Sequence, residues 1–399
     1  MTDTAIIIGA GIGGLATAKA LRRNGWHVEI HERSTDFGGL GSGLSIAPNA
    51  MHALRHLALD SAVSDIARRL DGLEALLPTG KPAMRLDSAT LTTKYGDAVY
   101  AVHRGDLHRL LLESLDDIPL HRGHRVLGVA PDSSTAAVVT IAGPDGTHAL
   151  TADLVVAADG VHSRVRAALF PGHPGARYAG YAAWRGIVPA AAAAHLDVRP
   201  VLAETWGAGI RIGVMPLRDG RVYWYAFDTA PETDQPAPEV GALAARCAAW
   251  PRPIPQLLAA TPADAVLVRP VHYLDRALPS FVRGPIALLG DAAHAVTPDV
   301  GQGACLALED AVVLAATVTE QGVSAGLRAY DSARRPRTQR IAQTSGRMGR
   351  ALQGNHPASA RLRDLTARLT PTALNTRFAD SLYAWTPPSS PAEITHPTR

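Results

Sequence analysis

The chain is short of cysteine, lysine, aromatic residues and long hydrophobic runs, and each shortage removes a class of protein. Its 399 residues include two cysteines, Cys247 and Cys305, in unrelated contexts with no C-x-x-C or Cys/His ligand spacing. That argues against a disulfide scaffold or zinc module, so no metal ligand set is expected and a reducing, cytoplasmic setting is. No run of 18 apolar residues occurs, because the most apolar helical window, Ala304 to Val318, is interrupted by Glu309 and Asp310; no membrane span is expected. Met1 leads directly into the apolar stretch Ala5 to Ile8, without the basic start and cleavage site of a signal peptide. Lysine occurs only as Lys19, Lys81 and Lys94, so arginine supplies the positive charge. With a net charge of +3, 5% aromatic residues and no basic patch interleaved with aromatics, nucleic acid is not an expected partner. The densest basic stretch, Arg334-Arg335-Pro336-Arg337 with Arg340, reads as a solvated helix start.

What is present is a large apolar fraction, 47%, enough for two domains and a tail. The opening reads strand (Ala5 to Ile8), tight turn, helix (Leu15 to Asn24), strand (His27 to His31), with Gly25 as the helix stop: a βαβ unit. Ala152 to Ala158 and Pro285 to Leu289 are apolar runs that each end at a glycine and acid pair, as buried parallel strands do. Val201 to Phe227 reads as a strand, a turn at Arg218-Asp219-Gly220 and a second strand, a hairpin of a separate antiparallel sheet. From Ala304 the pattern is helical, and Pro336 is expected to start or kink the next helix. Thr386 to Arg399 carries four prolines and reads as a poorly ordered tail.

Three constellations carry chemistry. Gly9-x-Gly11-x-x-Gly14 is followed by Glu32, 21 residues after Gly11. This is the pattern by which a tight turn, a close backbone approach and a helix N-terminus receive a pyrophosphate while an acid accepts from the ribose. Asp159-Gly160-x-x-Ser163-x-x-Arg166 follows the second apolar strand. Gly290-Asp291-Ala292-Ala293-His294 follows the third, and leads to Pro298, Gly301-Gln302-Gly303 and Glu309-Asp310. An aspartate at a strand end suits a ribose or ribityl hydroxyl, and amides at Gly301 to Gly303 suit a flavin edge that gains negative charge. Taken singly, Asp159 and Asp291 could also merely cap turns, the lesser reading, and the ordered set of motifs weighs against it. His294 reads as a structural hydrogen-bonding residue rather than a base.

Together these motifs, spread over residues 5 to 337, resemble the single-component FAD-dependent aromatic hydroxylases, the family of para-hydroxybenzoate hydroxylase. The resemblance implies an α/β fold: a Rossmann-like FAD-binding domain of the glutathione-reductase type, with an inserted antiparallel β-sheet substrate domain and a C-terminal helical segment. The expected division is 1–70, 100–166 and 281–335 for FAD, 71–99 and 167–280 for substrate, 336–385 for the C-terminal helices and 386–399 for the tail. FAD would be held by Gly9, Gly11, Gly14, Glu32, Arg33, Arg104, Asp159, Asp291, Pro298, Gly301, Gln302 and Gly303. No second glycine-rich strand-turn-helix is present, so NADH or NADPH is expected to bind transiently on the FAD domain. O2 would then be activated as a flavin C4a-hydroperoxide that attacks a small aromatic or heteroaromatic ring. A monomer or homodimer is expected.

A narrower resemblance, through Arg211-Ile212-Gly213-Val214-Met215-Pro216, Tyr223 and Thr297 to Gly303, is to FAD-dependent urate hydroxylases. It implies that Arg211 clamps the ring, Tyr223 hydrogen-bonds it and Asp299 orients Arg211. Alternation in a hairpin can also bring Arg211 and Tyr223 together by packing alone. Ala183-Trp184-Arg185-Gly186 departs from the urate pattern and offers Arg185 as another positive group. Urate, salicylate-like or nicotinate-like acids, an indole and a polyketide all stay open as substrates, hydroxylation or epoxidation as the reaction, and a ligand-sequestering flavoprotein as the non-enzymatic alternative. Halogenases share the glycine turn, but their Trp-x-Trp-x-Ile-Pro stretch is not matched by Trp184-Arg185-Gly186-Ile187-Val188-Pro189.

Overall fold

The computed structural model describes residues 2–37, 42–133, 135–233, 239–370 and 372–389. Its first sheet has six strands in the order Val282–Arg283, Ile286–Leu288, Leu154–Ala157, Thr4–Ile8, His27–Glu32 and Leu120–Arg122. All neighbours are parallel except the outermost pair, Val282–Arg283 with Ile286–Leu288. The two later apolar runs therefore are buried parallel strands, and they flank the first strand's side of the sheet as the βαβ reading requires.

The first helix, Ile12–Arg23, starts three residues earlier than its apolar periodicity suggested, because Gly11 takes the extended N-cap conformation inside the glycine motif. Leu15, Ala16, Ala18 and Leu21 bury its inner face, and the chain turns away at Gly25. Gly14 must lack a side chain: a methyl group there would lie 1.9 Å from the Gly9 carbonyl oxygen.

A second large sheet has seven strands in the order Leu267–Tyr273, Arg177–Val188, Val222–Thr229, Ile210–Pro216, Leu202–Trp206, Gly72–Leu76 and Pro82–Asp87. The stretch expected as one strand before the Arg218-Asp219-Gly220 turn is two, because the chain also reverses at Gly207 to Gly209, where Gly209 has φ 69°. Strand alternation gives this sheet two unlike faces. Trp224, Ile212, Val214 and Ala226 form one face and pack on helices Val240–Arg246 and Ile254–Ala260 as a separate core, with Trp224 Nε1 donating to Thr261 Oγ1 at 2.8 Å. The other face turns toward the first sheet.

The C-terminal half contains one long helical run, Gly303–Leu352, broken at Gly322 (φ 74°, ψ 165°) and not at Pro336, which lies inside the second segment. Arg334 and Arg337, on either side of the proline, are tied by ion pairs to Glu309 and Asp310 of the first segment, and these anchors hold the helix through the lost hydrogen bond. The basic stretch is thus no solvated start: Arg334 is 1% exposed. No helix among the described residues is long and apolar enough to cross a membrane. Of the tail, residues 386–389 form no regular element and 390–399 lie outside the described residues.

Candidate active site

Between the carboxyl ends of the parallel strands and the inner face of the seven-stranded sheet lies a cavity of about 690 Å³. At one end the glycine turn leads into the first helix, whose N-terminus has no side-chain cap. Space stands open there, since a methyl group on Gly11 would meet nothing within 4 Å among the described residues. Glu32 is already engaged with the turn: its carboxylate accepts from the Ala10 N–H at 2.9 Å and the Ser34 N–H at 2.8 Å. Arg33, next to it, is exposed.

Asp159 does not line the cavity, although its neighbours Ala158 and Gly160 do. One carboxylate oxygen accepts from the Arg164 and Val165 N–H groups at 2.9 and 3.3 Å, holding the start of helix Arg164–Leu169, and the other has no hydrogen-bond partner among the described residues. Ser163 caps the same helix, and buried Arg166 donates to the Ala292 carbonyl at 3.1 Å, joining the second constellation to the third.

Asp291 reaches into the cavity after Gly290 (φ 58°). Enclosure by protein pushes its carboxyl up, while His294, Arg104 and Arg166 pull it back. Behind it, the Asp310 carboxylate accepts from the Gly290 N–H at 3.1 Å, from His294 Nε2 at 2.5 Å and from Arg334 Nε at 2.7 Å. Desolvation opposes its charge, but His294 and Arg334 hold it down at about 2. His294 is therefore a structural partner of Asp310. Glu309-Asp310 belonged to the third constellation, but its pairing with Arg334, whose stretch reads as a solvated helix start, was not foreseen, although two adjacent acids inside the most apolar helical window marked a buried charge that needed partners.

Pro298–Val300 form a single turn, Gly301 (φ 64°) reverses the chain, and helix Gly303–Leu352 opens on the cavity with no side-chain cap. Gln302 is held from outside: Asn49 donates to its Oε1 at 2.9 Å and to Glu309 at 2.6 Å. Arg104 opens helix Arg104–Glu113 and faces the cavity; burial and Arg185 push its guanidinium down, and Asp291 pushes it up. Two uncapped helix N-termini, an open glycine cradle and an inward aspartate suit a flavin dinucleotide, whose phosphates and reduced ring are both anionic.

The sheet forms the opposite wall. Its register sets Arg211 opposite Phe227, Gly213 opposite Tyr225 and Met215 opposite Tyr223, and on the other side Trp206 opposite Arg211 and Glu204 opposite Gly213. Arg211 and Tyr223 thus share a face. Arg211, however, is 0% exposed and does not line the cavity. Its guanidinium lies against the Phe227 ring, donates to Glu204 at 3.1 Å and is ion-paired with Asp299. Tyr181 donates to the other Asp299 oxygen at 2.8 Å, and Tyr225 and Trp206 donate to Glu204 at 2.6 and 2.7 Å. Burial raises the Asp299 carboxyl and Arg211 lowers it.

Glu204 is the member that motif reading missed; its signal was an acid alternating with Leu202 and Trp206 on an apolar strand. Tyr225 fits only because Gly213 is bare: a methyl group there would stand 2.0 Å from the ring. Tyr223 lines the cavity beside Arg185, with burial pushing its hydroxyl up to about 12 and Arg185 drawing it down. Leu73, Ala75, Met84, Leu202, Met215 and Trp206 complete an apolar wall, closed by Phe378, Leu382 and Tyr383 from the C-terminal helix.

Residues 1–345 match the FAD binding domain family. The chain is similar to the aurachin C monooxygenase/isomerase of Stigmatella aurantiaca, with 36% identity over 369 residues, 92% of this chain and 94% of that one. It is 32% identical over 342 residues to the FAD-dependent urate hydroxylase of Klebsiella pneumoniae, 83% of this chain and 85% of that one. Among solved structures it resembles Klebsiella pneumoniae HpxO complexed with FAD and uric acid, with a TM-score of 0.85 and 28% identity over 95% of this chain and 96% of that one.

Proposed function

From the premise that the chain belongs to the FAD binding domain family and is an FAD-dependent monooxygenase, we propose that it oxygenates a neutral, largely apolar heteroaromatic ring. The observation that carries this reading is the pairing of Arg211. One guanidinium faces two carboxylates, Glu204 and Asp299, so the cation at the sheet wall is cancelled and has no charge left to offer an anion. Of the arginines that do line the cavity, Arg104 stands by Asp291, while Arg185 stands by the uncharged Tyr223 and keeps the positive charge that remains at the sheet wall.

In this reading Gly9, Gly11, Gly14, Glu32 and Arg33 hold the adenosine and pyrophosphate of FAD. Arg104 and Asp291 serve its ribityl and phosphate side, Pro298, Gly301, Gln302 and Gly303 face its ring, and Asp159, which does not line the cavity, fixes the start of helix Arg164–Leu169 instead of touching the cofactor. FAD, when bound, supplies the redox chemistry between NADH or NADPH, O2 and substrate. The chain's own part is positioning. With its hydroxyl pushed up to about 12, Tyr223 stays neutral at working pH and donates a hydrogen bond to a carbonyl or ring nitrogen of the substrate. Asp299 holds Arg211 and, with Tyr181, stiffens the strand that faces the ring. The wall of Leu73, Met84, Leu202 and Met215 keeps water from the reacting atoms.

A second reading, urate hydroxylation, is favoured by the shared face of Arg211 and Tyr223 and by the ion pair with Asp299. Substrate-stimulated NAD(P)H oxidation, with mass spectrometry for one added oxygen, separates the two. Quinolone and indole rings are expected to stimulate turnover and gain oxygen, and urate and salicylate to do neither. Efficient oxygenation of the anions with no response to neutral rings overturns the proposal.

A further inference from the structure

At one edge of the parallel sheet, the strands His27–Glu32 and Leu120–Arg122 carry a group of imidazoles that the flavin chemistry does not use. Glu29 and His31 are two apart on strand His27–Glu32 and so point to one face, and the parallel register sets His31 beside His121 of strand Leu120–Arg122. One ligand atom from each of Glu29, His31 and His121 falls within 4.8 Å of the other two. His31 Nε2 lies 3.4 Å from one Glu29 oxygen, and His121 Nε2 lies 3.6 Å from the other.

His31 supplies the independent observation. It is 2% exposed, and its Nε2 faces the Glu29 carboxylate at 3.4 Å without completing a hydrogen bond among the described residues. Its Nδ1 meets Nδ1 of His124 at 3.1 Å, and the rings of His31 and His121 stack at 4.8 Å. A metal-binding imidazole is set up in this way: one nitrogen donates to an outer partner, which fixes the tautomer and leaves the other nitrogen's lone pair free. His124 is that outer partner. His121 and Glu29 are both partly open to solvent, so an ion has a way in.

We propose that Glu29, His31 and His121 bind a divalent first-row transition-metal ion of the zinc type, His124 orienting His31. Two imidazoles and one carboxylate suit such an ion and leave a fourth position for water; hard ions such as Mg²⁺ or Ca²⁺ require oxygen-rich sets. None of the three lines the cavity, so the ion takes no part in oxygenation. It staples the edge strand Leu120–Arg122 to the strand that ends in Glu32.

The test uses tag-free, FAD-loaded enzyme stripped with chelator and titrated with Zn²⁺ by calorimetry, and with Co²⁺ by absorbance. The expected result is one ion per chain, a higher melting temperature with metal, and a four-coordinate Co²⁺ spectrum. Because His31 is buried and its replacement could disturb folding, the diagnostic variants are the two more open ligands, Glu29→Gln and His121→Ala. Each should keep its flavin content and melting temperature without metal, yet bind Zn²⁺ at least about 100-fold more weakly. No stoichiometric binding by the parent enzyme, or binding of unchanged affinity in both variants, overturns the assignment.

Discussion

At the residue scale, the substrate wall is decided by two side chains whose importance comes from neighbours. Glu204 neutralises Arg211 and holds Tyr225 and Trp206 in place. Glu204→Gln keeps the shape and removes one charge, leaving Arg211 with Asp299 alone. The expected outcome is a shift of specificity toward anionic rings: in steady-state kinetics the ratio of kcat/KM for salicylate over a neutral quinolone should rise by about tenfold, the equivalent of about 1.4 kcal/mol. A ratio that stays put would detach Glu204 from substrate choice. Gly213 acts through space alone. A side chain there evicts the Tyr225 ring, so Gly213→Ala should lower kcat/KM by about 100-fold, the cost of a displacement near 1 Å at a reacting centre, while FAD content is retained. Loss of flavin in this variant would show that the sheet face supports the cofactor end as well.

At the scale of elements, the glycine turn, the parallel strands and the two Asp-Gly turns were legible because each is a local pattern: a period, a glycine offset, an acid at a strand end. The long helix was legible as a helix but not in its break or its charges. Pro336 is a strong local signal for a kink, yet tertiary ion pairs at Arg334 and Arg337 outweigh it, and the break falls at Gly322, which carried no motif. The same network ties helix Gly303–Leu352 to the turn that presents Asp291, through the Gly290 N–H on Asp310. Asp310→Asn leaves Arg334 with one fewer counter-charge in a dry site and should destabilise the fold at pH 7 by about 3–5 kcal/mol. The sign with pH follows from the depressed carboxyl. Folding lowers it to about 2, so its contribution is present above the unfolded value near 4 and is lost as pH falls through about 2. Urea denaturation of parent and variant should therefore show the widest gap above about pH 4, narrowing toward pH 2. A gap that widens on acidification would assign the stabilisation to another group.

At the scale of the whole molecule, the arrangement of the segments matters more than any one of them. The turn at Gly9 to Gly14 lies nearly 300 residues in sequence from the turn at Gly290 and Asp291 and the start of the long helix at Gly301 to Gly303, and they meet only through the parallel sheet. The resemblance implied that Asp299 orients Arg211, but the second carboxylate was not legible in the sequence for the same reason: Glu204 and Asp299 come from different layers, and only the docking of the sheet on the cavity shows that both reach one guanidinium. A ligand spanning these segments binds the folded chain and not the unfolded one, so FAD should stabilise the whole protein by mass action, by about 2.7 kcal/mol at a hundredfold excess over Kd. The back layer of the seven-stranded sheet, Trp224 with helices Val240–Arg246 and Ile254–Ala260, has its own core and no share in the cavity. Hydrogen exchange with and without FAD should then protect the amides of residues 9–14, 290–294 and 301–306 strongly and those of 240–260 little beyond the global gain. Asp291→Ala should be FAD-poor and exchange like the stripped parent in all three segments together. If its protection is lost at residues 290–294 alone while the glycine turn stays protected, Asp291 serves its own loop rather than a cofactor shared by the three.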